Sequence, residues 1–190
     1  PPLAEQQRIV VKLDAAFAAI DEAVLYSKQN VNNAKRLYSY GIDEIFSPLI
    51  DVAQPLGRNS EINYGFTAKA SFSEGTHKLL RITDIQDNSV DWDSVPFCNI
   101  EEKKLLNMLL YDGDIVFART GATTGKSFLV EKPIDAVFAS YLIRVSVDRY
   151  VLLPRYVMHF FQSETYWQQV NEGISGAAQG GFNASKLAEL

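Results

Sequence analysis

The stretch PPLAEQQRIVVKLDAAFAAIDEAVLYSKQNVNNAKRLYSYG, residues 1–41, decides the architecture. From Val10 the positions Leu13, Phe17, Ile20, Val24, Ser27, Val31, Ala34 and Tyr38 follow at alternating steps of three and four. This is a heptad seam, the spacing that keeps one stripe of a helix facing a second helix. Leu3 extends the register backward, Pro2 suits a first helical turn, and Gly41 suits the position just past the end. The spacing predicts one helix over residues 3–40, about 57 Å long at 1.5 Å per residue. No other segment is long enough to cover that seam. A partner helix is therefore expected, antiparallel or from a second copy; the plainer alternative is a helix lying across its own domain. Ser27 and Ala34 are small seam positions of the kind that can fix register.

Beyond Gly41 the periodicity changes to short runs rich in β-branched and aromatic residues. Residues 79–85 (LLRITDI), 114–119 (DIVFAR), 127–131 (SFLVE) and 137–147 (VFASYLIRVSV) read as strands, separated by turns at 86–89, 110–113 and 121–125. A helix is expected from Pro154 to near Gly173, with Tyr156, Phe160, Trp167 and Val170 as its core-facing side. A Gly-rich loop at 174–183 and a short helical end at 185–190 complete the chain. The expected fold is α+β: a long coiled-coil helix in residues 1–41, then a globular mixed α/β domain in residues 42–190.

Composition bounds the function. At 190 residues and 47% hydrophobic content the chain can bury a real core. Its longest apolar stretch, residues 136–147, is interrupted well short of the ~20 residues of a membrane helix. With no basic-then-apolar opening segment, a cytoplasmic protein with no membrane partner is expected. One cysteine, Cys98, and two histidines, His77 and His159, give neither an internal disulfide nor a zinc ligand set. The net charge is −5: residues 1–41 carry five basic and four acidic groups, residues 42–190 thirteen and nineteen. Any basic, nucleic-acid-binding footprint must then be local.

Several motifs suggest chemistry. Gly121-Ala122-Thr123-Thr124-Gly125-Lys126-Ser127 approaches a phosphate-binding loop, but three residues separate its glycines where a Walker A loop has four. The same segment offers Arg119, Thr120, Thr123, Thr124 and Lys126 as donors suited to DNA phosphates and base edges. The alternative is a plain strand-to-strand turn. Asp91 and Asp93, like Asp112 and Asp114, read as turn formers. Asp93, Glu101 and Lys103 follow the bare outline of a Mg²⁺ nuclease, although residues 101–103 read more simply as a helix face. His77, beside Lys78 and Arg81, is a further candidate for DNA contact.

Pro1 to Val10 leading into a long helix resembles the phrase that opens the conserved helices of type I restriction-modification specificity subunits. Residues 80–85 (LRITDI), 113–121 (GDIVFARTG) and 183–187 (NASKL) resemble successive landmarks of that family's target-recognition domain. The family's full-length subunits carry two recognition domains and two conserved helices, whereas this chain has one of each, as an excised half or a half-length subunit would.

The resemblance implies a non-catalytic, cofactor-free subunit that binds double-stranded DNA. It would address a methyltransferase subunit and a restriction subunit to a bipartite site, and pair as a homodimer through Val10, Leu13, Phe17, Ile20, Val24, Val31 and Tyr38. In keeping with this, the chain has no Asn-Pro-Pro-Tyr/Phe motif and no complete Walker A. The expected DNA contacts are Tyr64, Thr67, Lys69, Lys78, Arg81, Arg119, Thr120, Thr123, Thr124 and Lys126. The rival functions are a small Mg²⁺-dependent endonuclease and a coiled-coil adaptor that binds protein alone.

The seam makes a direct prediction. Changing Leu13 and Ile20 to Glu places charges at two seam positions, and light scattering should then show a smaller species than the unaltered chain. An unchanged species would exclude the seam as the contact.

Overall fold

The computed structural model describes residues 1–86, 88–175 and 181–190. The chain divides into two compact units, Pro1–Gly41 and Ile42–Leu190. Helix α1 spans Leu3–Phe46, longer than the seam predicted. Its seam side chains are solvent-exposed, from Val24 at 46% to Phe17 at 58%. The Ser27 hydroxyl donates to the Ala23 carbonyl, so this polar seam residue satisfies itself on its own helix.

Gly41 does not stop the helix. The next turn belongs to the second unit, where Ile42 and Phe46 are buried. Phe46 packs against the rings of Tyr156 and Phe160, and the Asp43 carboxylate accepts from the Glu164 amide. Burial of this turn outweighs the roughly 1 kcal/mol helix penalty of one glycine. Pro48 lies in the 3-10 turn Ser47–Val52 that follows.

The second unit is built on strands β1 (Ser60–Tyr64), β2 (His77–Leu80), β3 (Ile85–Gln86), β4 (Ser89–Val90) and β5 (Phe97–Cys98). Helix α2 (Glu102–Met108) precedes β6 (Ile115–Ala118), β7 (Ser127–Leu129), β8 (Ala136–Phe138) and β9 (Leu142–Val147). Helices α3 (Pro154–Phe160), α4 (Glu164–Ser175) and α5 (Ala184–Glu189) close the chain. A four-stranded antiparallel sheet has the order β1-β9-β6-β7, and a three-stranded sheet the order β5-β2-β8, with β2 and β8 parallel. The β3–β4 hairpin stands apart, turning through Asn88 at φ +58°.

Three layers result. Ile115, Phe117, Ile143 and Val145 on one face of the larger sheet share a core with Val157, Met158, Phe161, Tyr166, Val170 and Leu187 of the helices. Val116, Phe128 and Leu142 on the other face pack with Leu80, Ala136 and Phe138 of the smaller sheet. Strand β6 is buried on both faces, hence its unbroken apolar run Ile115-Val116-Phe117-Ala118.

Three expected elements are broken. The single strand expected over 137–147 is two strands, because β8 belongs to the smaller sheet and β9 to the larger. The Ala139 amide donates to Leu80 and the Leu142 amide to Ala139, turning the chain between them. The helix expected from Pro154 to Gly173 breaks at Phe161–Ser163, where the buried Ser163 hydroxyl accepts from the Tyr166 amide and starts α4 anew. The strand expected over 79–85 likewise ends at Leu80, since Asp84 folds back to take the Arg81 amide and guanidinium. Residues 176–180 of the expected Gly-rich loop lie outside the described residues.

A buried charge ties the layers together. Arg144 on β9 donates to the Leu109 carbonyl at 2.6 Å and lies 4.0 Å from the Asp114 carboxylate, and both side chains are almost wholly buried. Burial raises the Asp114 pKa above the ordinary carboxylate value, opposed by the Tyr111 amide, Ser146 and the nearby arginines. Arg144→Ala leaves Asp114 buried without its nearest cation and should cost about 3 kcal/mol at pH 7 in urea unfolding. Because burial already raises the folded-state pKa, and it rises further without Arg144, Asp114 takes up a proton as pH falls through the acid range. The loss relative to wild type should therefore shrink on acidification. A loss independent of pH would show that the carboxylate is not the cause.

Candidate functional site

The antiparallel order of the larger sheet places four chain segments at one end: the exits of β1 and β6 and the entries of β7 and β9. Tyr64 closes β1, Arg119 and the turn 120–126 follow β6, and Tyr141 precedes β9. Arg81 reaches this end through β2, since the Leu80 carbonyl accepts from the Ala139 amide. Backbone hydrogen bonds join the segments: Gly65 donates to Leu142, Arg119 to Tyr141, and Phe182 to Arg119.

The turn after β6 is closely hydrogen-bonded and built by glycine. Gly121 and Gly125 adopt φ +74° and +91°, where L side chains are strained. A Cβ on Gly125 would sit 2.6 Å from the Trp167 ring, and the Gly125 carbonyl accepts from the buried Tyr166 hydroxyl, whose pKa burial raises. The amides of Thr124, Gly125 and Lys126 donate to the carbonyls of Gly121, Ala118 and Thr123. Amides spent inside the turn cannot cradle a nucleotide phosphate, so its likeness to a phosphate-binding loop ends at composition.

The candidate side chains divide. Lys126 is exposed and has no ion-pair partner among the described residues. Thr120 and Thr123 are half-buried, the latter donating to the Thr120 carbonyl at 3.4 Å. Thr124 is buried and its hydroxyl caps the turn on Gly121. Arg119 lies over the Tyr64 ring, 4.7 Å from its centre, and Nη1 donates to the Ser140 carbonyl at 3.4 Å. The Tyr64 hydroxyl accepts from the Ala184 amide at 2.9 Å. Asn183 starts α5 by accepting from the Lys186 amide, a local reason for the Asn-Ala-Ser-Lys sequence.

Four other expected contacts lie in different settings. Lys78 is 9% exposed, donates to the carbonyls of Val95 and Asp93 and lies over the Phe97 ring, so it fastens strands instead of facing solvent. Arg81 is clamped on Asp84, with the exposed Phe72 ring beneath it. Thr67 and Lys69 are exposed, but line an adjoining groove with Glu74, Glu101 and Lys104. His77 meets its neighbour Thr76.

The sequence reading missed Tyr141, 62% exposed at the same end. Its signal was Ser140-Tyr141, a polar pair inside an otherwise apolar run.

Segments 64–66, 119–127, 139–142 and 181–186 contain Arg119, Lys126 and Lys186 and no carboxylate, in a chain of net charge −5. Asp84, near Arg81, is neutralised by it. Of the three cations in those segments Lys186 donates to the Gly173 carbonyl, which leaves Arg119 and Lys126 facing this end. At the opposite end of the sheet Lys132, Arg149 and Arg155 stand among Asp112 and Glu131, with Arg155 paired to Glu131.

The nuclease outline does not assemble. Glu101 is taken by Lys103 and Lys104, and their charges lower its pKa, while the Asp93 amide donates to Asp91 within a turn. Among the described residues no three His, Cys, Asp or Glu side chains are grouped to hold a metal ion. Cys98 is buried, and burial pushes its thiol pKa up, away from reactive values. No helix among the described residues is long and apolar enough to cross a membrane.

No family model matches the chain. The specificity subunit of the type I restriction enzyme EcoKI from Escherichia coli K12 is 28% identical to it, over 86% of this chain and 39% of that one. The HsdS subunit of Thermoanaerobacter tengcongensis matches its fold over the whole chain and 46% of its own length, with a TM-score of 0.62 at 16% identity. The type I restriction-modification system S subunit from M. genitalium matches 85% of the chain, with a TM-score of 0.54 at 12% identity and 42% of its own length covered. The chain thus spans less than half the length of each of these relatives. In sequence and in fold alike, it is similar to one half of a type I restriction-modification specificity subunit.

Proposed function

We propose that residues 42–190 form a DNA target-recognition domain and that the sheet end carrying Tyr64, Arg119 and Lys126 faces double-stranded DNA. The observation that carries this reading is the carboxylate-free basic end of an otherwise acidic chain. Likeness to the EcoKI specificity subunit supports it. Lys126 supplies a solvated phosphate contact, while Thr120, Thr123, Arg119 and Tyr141 border the same surface. Thr124 and Tyr64 shape that surface from behind.

The chain itself is non-catalytic in this reading. A methyltransferase subunit and a restriction subunit would supply the chemistry, in the cytoplasm where the DNA is. The seam of Val10, Leu13, Phe17, Ile20, Val24, Val31 and Tyr38 pairs with a second helix, and between two copies an antiparallel pairing creates a twofold axis. Two identical recognition domains related by that axis read inverted half-sites separated by unread base pairs.

Lys126→Ala should weaken binding to a mixed-sequence duplex and make the slope of log affinity against log salt shallower by about one, as loss of one phosphate contact does. Arg155→Ala, at the opposite sheet end, should leave both unchanged. The reverse pattern would move the DNA to the other end of the sheet.

A further inference from the structure

Resting on the proposal that this sheet end faces DNA, we infer that Arg119 reads a guanine base and that Tyr64 is the residue that positions it. Arg119 is held at both backbone groups, its amide donating to Tyr141 and its carbonyl accepting from Phe182. Its guanidinium is laid on the Tyr64 ring, and that ring is fixed by the hydrogen bond from Ala184 to its hydroxyl. Of the guanidinium donors, Nη1 makes one long bond to Ser140, and Nε is buried without a partner. The N–H groups of Nη2 are unused among the described residues and, unlike Nε, not sealed from solvent.

Such an arrangement suits a directional acceptor pair better than a diffuse charge. A phosphate is satisfied by a mobile cation, the role Lys126 fills seven residues further along the same segment. A guanidinium already ordered on a ring has lost its rotamer freedom before binding, so a correctly placed partner costs less to engage. Guanine offers O6 and N7 as two adjacent acceptors in the major groove, whereas adenine offers one acceptor beside a donor that opposes the arginine.

The test is selection of bound duplexes from a pool with a random central stretch, using the full chain. The wild type should enrich a site with an invariant guanine. Arg119→Lys, which keeps the charge and loses the fork, should make that one position degenerate and leave the other positions and the salt slope intact. Tyr64→Leu should relax the same position. In the wild type, replacing that guanine by 7-deazaguanine should lower affinity by about tenfold. The inference is overturned if Arg119→Lys keeps the full site or weakens all sequences alike, or if no guanine in the site is sensitive to 7-deazaguanine, a readout needing no variant. A wild-type chain that binds duplex but enriches no site also overturns it, leaving the DNA-facing surface standing. A chain that binds no duplex removes both.

Discussion

Strand β6 is the constraint on which the second unit depends. Ile115 and Phe117 are fully buried against the helices, and Val116 is fully buried against the smaller sheet. A one-residue slip would turn every one of these side chains to the wrong layer. The register with β9 and β7 is therefore fixed on both faces at once, and with it the place where the chain leaves the sheet. Arg119 and the turn that follows are the exit of this strand, so the candidate surface inherits the rigidity of the core. The Tyr166 hydroxyl on Gly125 and the Trp167 ring against the same glycine hold that turn from behind.

The first unit has the opposite character. Its seam leaves Val10, Phe17, Ile20 and Val31 more than half exposed. Burying a side chain of this size is worth roughly 1.5–3 kcal/mol. These side chains are already about half covered, so a covering helix would gain roughly half of that at each of several positions in succession, a physical reason for a partner. In the proposed reading, the first unit pairs and the second recognises DNA.

Legibility in the sequence followed the length of each signal. The heptad repeat announced α1 because the same spacing recurs over many turns, and only its last turn escaped, where burial of Ile42 and Phe46 overrode Gly41. The run Ile115-Val116-Phe117-Ala118 announced β6. The break between β8 and β9 was hidden because both halves of residues 137–147 are apolar, and only the three-dimensional choice of sheet separates them. Among candidate site residues, exposed loop positions such as Lys126 are accessible to pattern reading. Lys78 was not, since a lysine beside His77 and Arg81 reads as a basic patch until the carbonyls of Val95 and Asp93 close around it. The pairing of Arg119 with Tyr64 joins residues 55 positions apart and follows from sheet order alone.

The most direct measurement of the account is amide hydrogen exchange of the full chain with and without duplex DNA. Binding at the proposed sheet end predicts added protection in peptides covering residues 119–126 and 139–142, with those covering residues 130–135 and 149–155 unchanged. Protection confined to the latter two stretches, or no change on adding DNA that demonstrably binds, would contradict it.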